Sequence, residues 1–480
     1  LNEIMKYFKI GSIIALTISA LLVGCSEEDK YNADYQWLAL SQAAEQWNGS
    51  ACNKLITLQE NQRTDTIIKL TVALYQNQTV SQDCTADIVI AKDSLSKAIA
   101  LSKKGGIYDV YKNALLMSDE YFEFSSTKIT LKAGEAQSAP VDVVIHREKL
   151  LKDPVRTENE NAIFVLPIQI VNSSSYKVNE VVNTLMLMFQ LPQIDPTQPD
   201  MTDPKQEVDG MKLIWHDEFN GTGAPDPSVW GLEEGFQRNN ELQWYQKEGN
   251  AEMDGNGNMV FIAKRERVKN PNYVAGSGDW KKNREYAEYT SASMNTSGKF
   301  VFKYGRLLCR AKIPTDLGAW PAIWTCGNWW EWPLNGEIDL LEYYLVNGKP
   351  SIHANFCWGS DTRWSGTWKS YNRPLEEFVA KDPEWTNKYH IWRMDWDENY
   401  LRLYLDDELL NEVDLRTTVN GSGGGAPEGG YQNPFSNNHE GFGAYVWLNL
   451  AVGANGGDPS DTEFPMKYYV DYVRVYQLDK

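Results

Sequence analysis

From residue 35 onward, hydrophobic positions fall into short runs whose period is that of a strand. Thr66-Ile67-Ile68-Lys69-Leu70-Thr71-Val72 and Val141-Asp142-Val143-Val144-Ile145 are β-branched or alternate apolar with polar residues. Residues 162–171 and 185–191 read the same way, while 94–103, rich in Ala, Leu and Lys, predicts a helix. Together they predict a smaller, mostly β N-terminal domain, a β-sandwich over 26–190. Residues 191–207 carry Pro192, Pro196, Pro199 and Pro204 among polar residues, which blocks sheet pairing and predicts a linker. Over 208–480 short strand-like runs alternate with turn residues such as Gly255-Asn256-Gly257, Asn347-Gly348 and Asp406-Asp407, predicting an antiparallel sandwich. Residues 394–396 and 401–405 flank Asp397-Glu398-Asn399 and predict a hairpin.

The first 25 residues follow another logic. After Met5, Lys6 and Lys9 precede an apolar run from Ile10 to Val23, shorter than the ~20 residues of a membrane span. The run ends in Leu22-Val23-Gly24-Cys25, which resembles a lipoprotein lipobox. That resemblance implies a signal peptide over 1–25 and lipidation of Cys25. Ser26-Glu27-Glu28-Asp29 resembles an acidic export signal, implying an outer-membrane lipoprotein facing the cell exterior.

Composition sharpens the division. Of 18 Trp, only Trp37 and Trp47 precede residue 200, so the two domains have different tasks. A net charge of −19 argues against nucleic acid or an anionic membrane surface as partner, since both need an excess of Lys and Arg. No phosphate loop or dinucleotide fingerprint occurs, and no CxxC or HExxH spacing supports zinc. Cys52 and Cys84 are candidates for a disulfide in an oxidising compartment. Cys309, Cys326 and Cys357 read as buried thiols.

The chemistry concentrates in Trp332-Pro333-Leu334-Asn335-Gly336-Glu337-Ile338-Asp339-Leu340-Leu341-Glu342-Tyr343-Tyr344. In a regular strand Glu337, Asp339 and Leu341 share a face, and Glu342 points into the core. An unpaired carboxylate there is strongly unfavourable. One extra residue in a β-bulge returns Glu342 to the face of Glu337 and Asp339. The two Glu then lie about 13 Å apart at Cα, and side chains leaning together can close to about 5–6 Å, the separation of a retaining glycosidase pair. Three carboxylates so close repel, so one is expected to hold a proton near neutral pH.

On these residues the chain resembles glycoside hydrolase family 16, the laminarinase-like endo-β-glycanases, from about 213 to 477. Further motifs in the family's order are Trp215-His216-Asp217-Glu218-Phe219-Asn220, Asn239-Asn240-Glu241-Leu242-Gln243-Trp244-Tyr245, Gly318-Ala319-Trp320-Pro321-Ala322-Ile323-Trp324 and Val470-Asp471-Tyr472-Val473-Arg474-Val475-Tyr476. The resemblance implies a concanavalin-like jelly roll. It makes Glu337 the nucleophile, Glu342 the acid and then base, and Asp339 the residue that tunes both. It places His353 near the carboxylates and makes Trp320, Trp332, Trp358 and Asn240 candidate sugar contacts. It also implies a structural calcium at Glu218 and Asp471, with no cofactor for catalysis. The expected partner is a polysaccharide or oligosaccharide, and the expected state a monomer. The open alternative is a non-catalytic glycan-binding lipoprotein on the same scaffold. Two departures stand out. Ser293 lies where laminarinases typically carry an Arg near the cleavage point. Asn355-Phe356-Cys357-Trp358-Gly359-Ser360 looks more like members acting on host O-glycans or other β-galactosides.

Overall fold

The computed structural model describes residues 36–47, 52–60, 62–159, 161–426 and 430–479. Cys25 and the leader over 1–25 lie outside the described residues. The protein is all-β with few helices, and it divides into two compact units, Leu1–Ile194 and Asp195–Lys480.

In the first unit, a six-stranded sheet runs Asn53–Thr57, Thr184–Gln190, Ile163–Val171, Cys84–Ile90 and Lys128–Leu131, with Ala114–Leu116 beside Ile163–Val171. Ile163–Val171 is almost continuously apolar because both of its faces are covered. Phe164, Leu166, Ile168 and Ile170 enter the main core. Val165 meets Leu95 and Ala98 of the helix Lys92–Ser102. Two three-stranded sheets centre on Trp37–Leu40 and Val141–Ile145. Cys52 and Cys84 are separate thiols: Cys52 Sγ faces the Val181 carbonyl and Cys84 Sγ the Ser173 hydroxyl.

The second unit begins inside the proline-rich stretch, so residues 195–207 are not a free linker. The Pro196 carbonyl accepts from Tyr389 N–H, and the Gln198 carbonyl from Arg310. Glu207–Val208 pairs with Met211–Asp217. Proline removes amide donors but leaves carbonyls free to accept, and those carbonyls dock the segment.

Two sheets face each other in this unit. One is built on Met466–Leu478 and Gly305–Lys312, with His390–Trp396, Tyr400–Leu405 and Glu408–Asp414 continuing from Gly305–Lys312. The other has seven strands in the order Gly231–Leu232, Ser293–Asn295, Ala444–Val452, Ala319–Gly327, Glu337–Val346, Lys349–Gly359 and Gly366–Pro374. Between them lies one core in which Ile338, Leu340, Leu341 and Phe356 join Trp392, Val470 and Val473.

Candidate active site

The site lies on the outer face of the seven-stranded sheet, and strand register builds it in three ranks. Glu337 stands between Cys326 and Cys357, Asp339 between Trp324 and Asn355, and Glu342 between Ala322 and His353. The register slips between Asp339 and Glu342 against both neighbours' ladders, which is the bulge the alternation required. Leu340 and Leu341 are both fully buried in the core. Burying each stabilises by about 1.5–3 kcal/mol, more than the roughly 0.5–1.5 kcal/mol of a ladder hydrogen bond lost at the bulge. Gly336 sets the entry to this strand. Its φ is +77°, and a Cβ there would lie 2.8 Å from Phe435 and Pro434.

A cleft of about 600 Å³ opens above the carboxylates. Trp332 Nε1–H donates to Glu337 Oε2 at 2.6 Å, and Trp320 Nε1–H to Glu342 Oε1 at 3.0 Å. Asn355 Nδ2–H donates to Glu342 Oε2 at 3.1 Å, while its Oδ1 accepts from Tyr371 N–H, which fixes the amide's orientation. These N–H groups favour ionised carboxylates, and burial opposes them. Burial pushes Asp339 well above the carboxylate range, and the charges of Glu337 and Glu342 add to it. Asp339 therefore holds its proton and shares a hydrogen bond with Glu337. Burial and then the Glu337 charge push Glu342 up to about 8. Glu337 is also raised by burial, but Trp332, Asp339 and the Arg238 charge pull it back. All three carboxyls are thus raised, Asp339 well above the usual range and Glu342 to about 8, while Glu337 alone has a cation, Arg238, drawing it back down.

Several expected contacts take other places. Trp320 and Trp332 line the cleft, and both use their indole N–H on a carboxylate. Trp358 packs in the core, because on Lys349–Gly359 it has the parity of Phe356. Trp368, the cross-strand neighbour of Cys357, lines the cleft instead. Asn240 is exposed and outside the cleft, which its neighbour Asn239 lines. His353 stacks on Tyr344 at 3.6 Å between ring centroids, and its Nε2 has no hydrogen-bond partner. Burial pulls it down to about 4, so it is neutral.

Glu218 and Asp471 do not fit a shared calcium. Arg474 grips both Glu218 oxygens, at 2.9 and 2.6 Å. Asp471 accepts from Arg310 and from the Asp200 N–H. Among the described residues no group of three or more His, Cys, Asp or Glu is placed to hold a metal ion.

Arg238, Asn355, Tyr445 and Trp447 line the cleft and escaped the motif reading. The last two were legible: Tyr445, Trp447 and Asn449 alternate along Ala444–Val452 and pair with the cleft-facing Cys326, Trp324 and Ala322. Trp447 stacks on Trp324 at 4.7 Å and 11°.

A cleft walled by indoles, with three raised carboxyl groups on its floor, is an arrangement for acid–base chemistry on carbohydrate. The model for glycosyl hydrolases family 16 matches residues 238–428, and a model of an N-terminal domain matches 46–177. The chain is 32% identical over 291 residues to the glucan endo-1,3-beta-glucosidase A1 of Niallia circulans, covering 58% of this chain and 39% of that protein. It is 30% identical over 284 residues to a glucan endo-1,3-beta-glucosidase of Cryptopygus antarcticus, covering 55% and 91%. It is 28% identical over 275 residues to the keratan-sulfate endo-1,4-beta-galactosidase of Sphingobacterium multivorum, covering 56% and 55%. The chain belongs to glycosyl hydrolase family 16. It spans well under half the length of the Niallia circulans relative.

Proposed function

We propose that the protein is a retaining, endo-acting β-glycosidase that hydrolyses internal β-1,3 or β-1,4 linkages of a glucan- or galactose-containing glycan. The observation that carries this reading is geometric: Glu337, Asp339 and Glu342 line one cleft across a single bulge, with the Trp332 indole bound to Glu337 and the Trp320 indole to Glu342. The Glu337 carboxylate attacks the anomeric carbon while the glycosidic C–O bond breaks. Glu342 gives its proton to the departing oxygen. Asp339 holds Glu337 by a hydrogen bond throughout. In the second half, Glu342, now a carboxylate, takes a proton from water as that water attacks the glycosyl ester, and Glu337 leaves as a carboxylate. The relatives named above act on β-1,3-glucan or keratan sulfate by name, which supports the substrate range. Ser293 and the 355–360 segment favour the galactose-containing side of it. In this reading Cys25 anchors the protein to the outer membrane by lipid, with the catalytic unit outside the cell.

The test is a product profile. A soluble form from residue 30 is incubated with laminarin, mixed-linkage glucan, a galactan and mucin O-glycans, beside Glu337→Gln. Oligosaccharides of several lengths from one substrate, with the β-anomer formed first and nothing released by the variant, are expected. Full activity in the variant sinks the assignment. Binding without cleavage of any substrate turns the reading to the glycan-binding alternative.

A further inference from the structure

Arg238 is the one cation among the described residues lining the cleft, whose carboxyl groups are Glu241, Glu337, Asp339 and Glu342. It is held on every side but one. Its Nη1 and Nη2 grip the two oxygens of Glu233, and Nη2 also donates to the Ser293 hydroxyl at 3.2 Å. The Ser293 hydroxyl in turn donates to Glu233 at 2.6 Å. Its carbon ζ lies 5.0 Å from the Trp447 ring centre and 5.3 Å from that of Trp324, the two stacked indoles of the cleft wall. Tyr245 stands at 5.7 Å. A guanidinium has five N–H donors. Glu233 and Ser293 take three, leaving Nε–H and one Nη1–H without an acceptor among the described residues. About a quarter of the side chain remains accessible.

A lone surface-type ion pair is not held in this way. The planar fork is fixed by Glu233, three aromatic rings stand 5.0–5.7 Å from it, and its spare donors belong to a group that lines the cleft.

We propose that Arg238 is a specificity-determining and positioning residue of this cleft: its free N–H groups donate to oxygens of the sugar bound beside Glu337. Its charge also draws the raised Glu337 carboxyl back down. The proposal rests on the glycosidase reading above. The groups that face Glu337 are Asp339 and Glu342 on its own strand, Cys326 and Cys357 on the two flanking strands, Tyr445 beyond Cys326, and Arg238 with Glu233 and Glu241. Burial keeps both thiols protonated. Arg238 is thus the only positive charge in that set.

The experiment compares wild type, Arg238→Met, Arg238→Lys, Arg238→Ser and the exchange Arg238→Ser with Ser293→Arg, on the substrate the wild type cleaves. Thermal unfolding of each is measured alongside. Arg238→Met is expected to lower kcat/KM by about 10- to 100-fold, the range for losing hydrogen bonds to a charged group. Its acidic limb should move to higher pH, because Glu337 loses a favourable charge, while the basic limb set by Glu342 stays. Arg238→Lys should keep the acidic limb and lose most of the KM gain, since an ammonium lacks the fork. The exchange should recover activity by restoring a guanidinium at the same place. An acidic limb unmoved in Arg238→Met, or an exchange no better than Arg238→Ser alone at equal Tm, overturns the proposal. If Arg238→Met does not fold, the lysine variant and the exchange decide by the same criteria. A wild type that cleaves nothing refutes the glycosidase reading instead, which separates the two failures.

Discussion

The second unit buries two sets of carboxylates and treats them in opposite ways. Glu337, Asp339 and Glu342 make no ion pair with any Lys or Arg among the described residues, and their fixed partners are the neutral N–H groups of Trp332, Trp320 and Asn355. Glu218 and Asp471 each hold a guanidinium, Arg474 and Arg310, whose side chains are 7% exposed. The residue types are the same, but the counter-charge differs. Without a paired cation, burial resolves the repulsion by protonation, so protons become available for transfer. With one, the carboxylate is held by a guanidinium in a fixed ion pair. The first set is arranged for reaction and the second for shape.

The sharpest break of that contrast is at Glu342. Glu342→Gln keeps the size and can keep one of the two N–H contacts, since an amide has a single acceptor oxygen, but it removes the transferable proton. Turnover of natural glycans should fall by about 10²- to 10⁴-fold, the usual worth of a positioned general acid. An aryl glycoside with an acidic phenol should lose far less in its first step, because that leaving group needs no proton. The wild-type basic limb, expected near 8 from the raised Glu342 carboxyl, should vanish in the variant. Steady-state rates on both substrates across pH check this, and an unchanged basic limb would remove Glu342 from the acid role.

The opposite set is tested by Arg310→Met. Asp471 is 2% exposed and already pushed up to about 7 by burial, with Arg310 and the Asp200 N–H pulling the other way. Deleting the guanidinium leaves an uncompensated buried carboxyl, at a cost of about 3–5 kcal/mol. Denaturant unfolding should report that loss, while kcat/KM well below the new midpoint stays near wild type. A loss of activity without a loss of stability would mean that the two sets are not separate in function.

The carboxylate triplet was legible because period-two alternation forces a choice: a bulge, or Glu342 in the core. The strand from 163 to 171 and the helix near 94–103 were legible for the same reason, since continuous apolar runs and Ala/Leu/Lys stretches have one economical burial. Trp358 was misread because a tryptophan two residues beyond Phe356 shares its parity, and which parity faces the core follows from the sheet. Asn240 was misplaced by one residue in a turn, where Asn239 and Asn240 both have positive φ and alternation gives no guidance. Residues 195–207 looked like a linker because proline content reports missing amide donors, not where carbonyls dock. Arg238 was invisible for a related reason. Its partners Glu233, Ser293, Trp324 and Trp447 are brought together by strand order, and no local spacing encodes that.

The smallest expected effect separates the two ends of the reactive set from each other. Trp320 and Trp332 each give one N–H to one glutamate, and each such bond favours the ionised form. Phenylalanine in either place keeps an aromatic wall and removes the donor. Trp320→Phe leaves Glu342 less able to ionise, so its carboxyl rises further and the basic limb moves to higher pH. The acid remains protonated at neutral pH, and kcat should change only a few-fold, in keeping with a neutral hydrogen bond worth about 0.5–1.5 kcal/mol. Trp332→Phe acts on the nucleophile: Glu337 rises, the acidic limb moves to higher pH, and the basic limb holds. The two variants therefore shift opposite limbs in the same direction. If instead Trp320→Phe moved the acidic limb and Trp332→Phe the basic one, the nucleophile and acid would have to exchange names, because each indole is bound to only one of them.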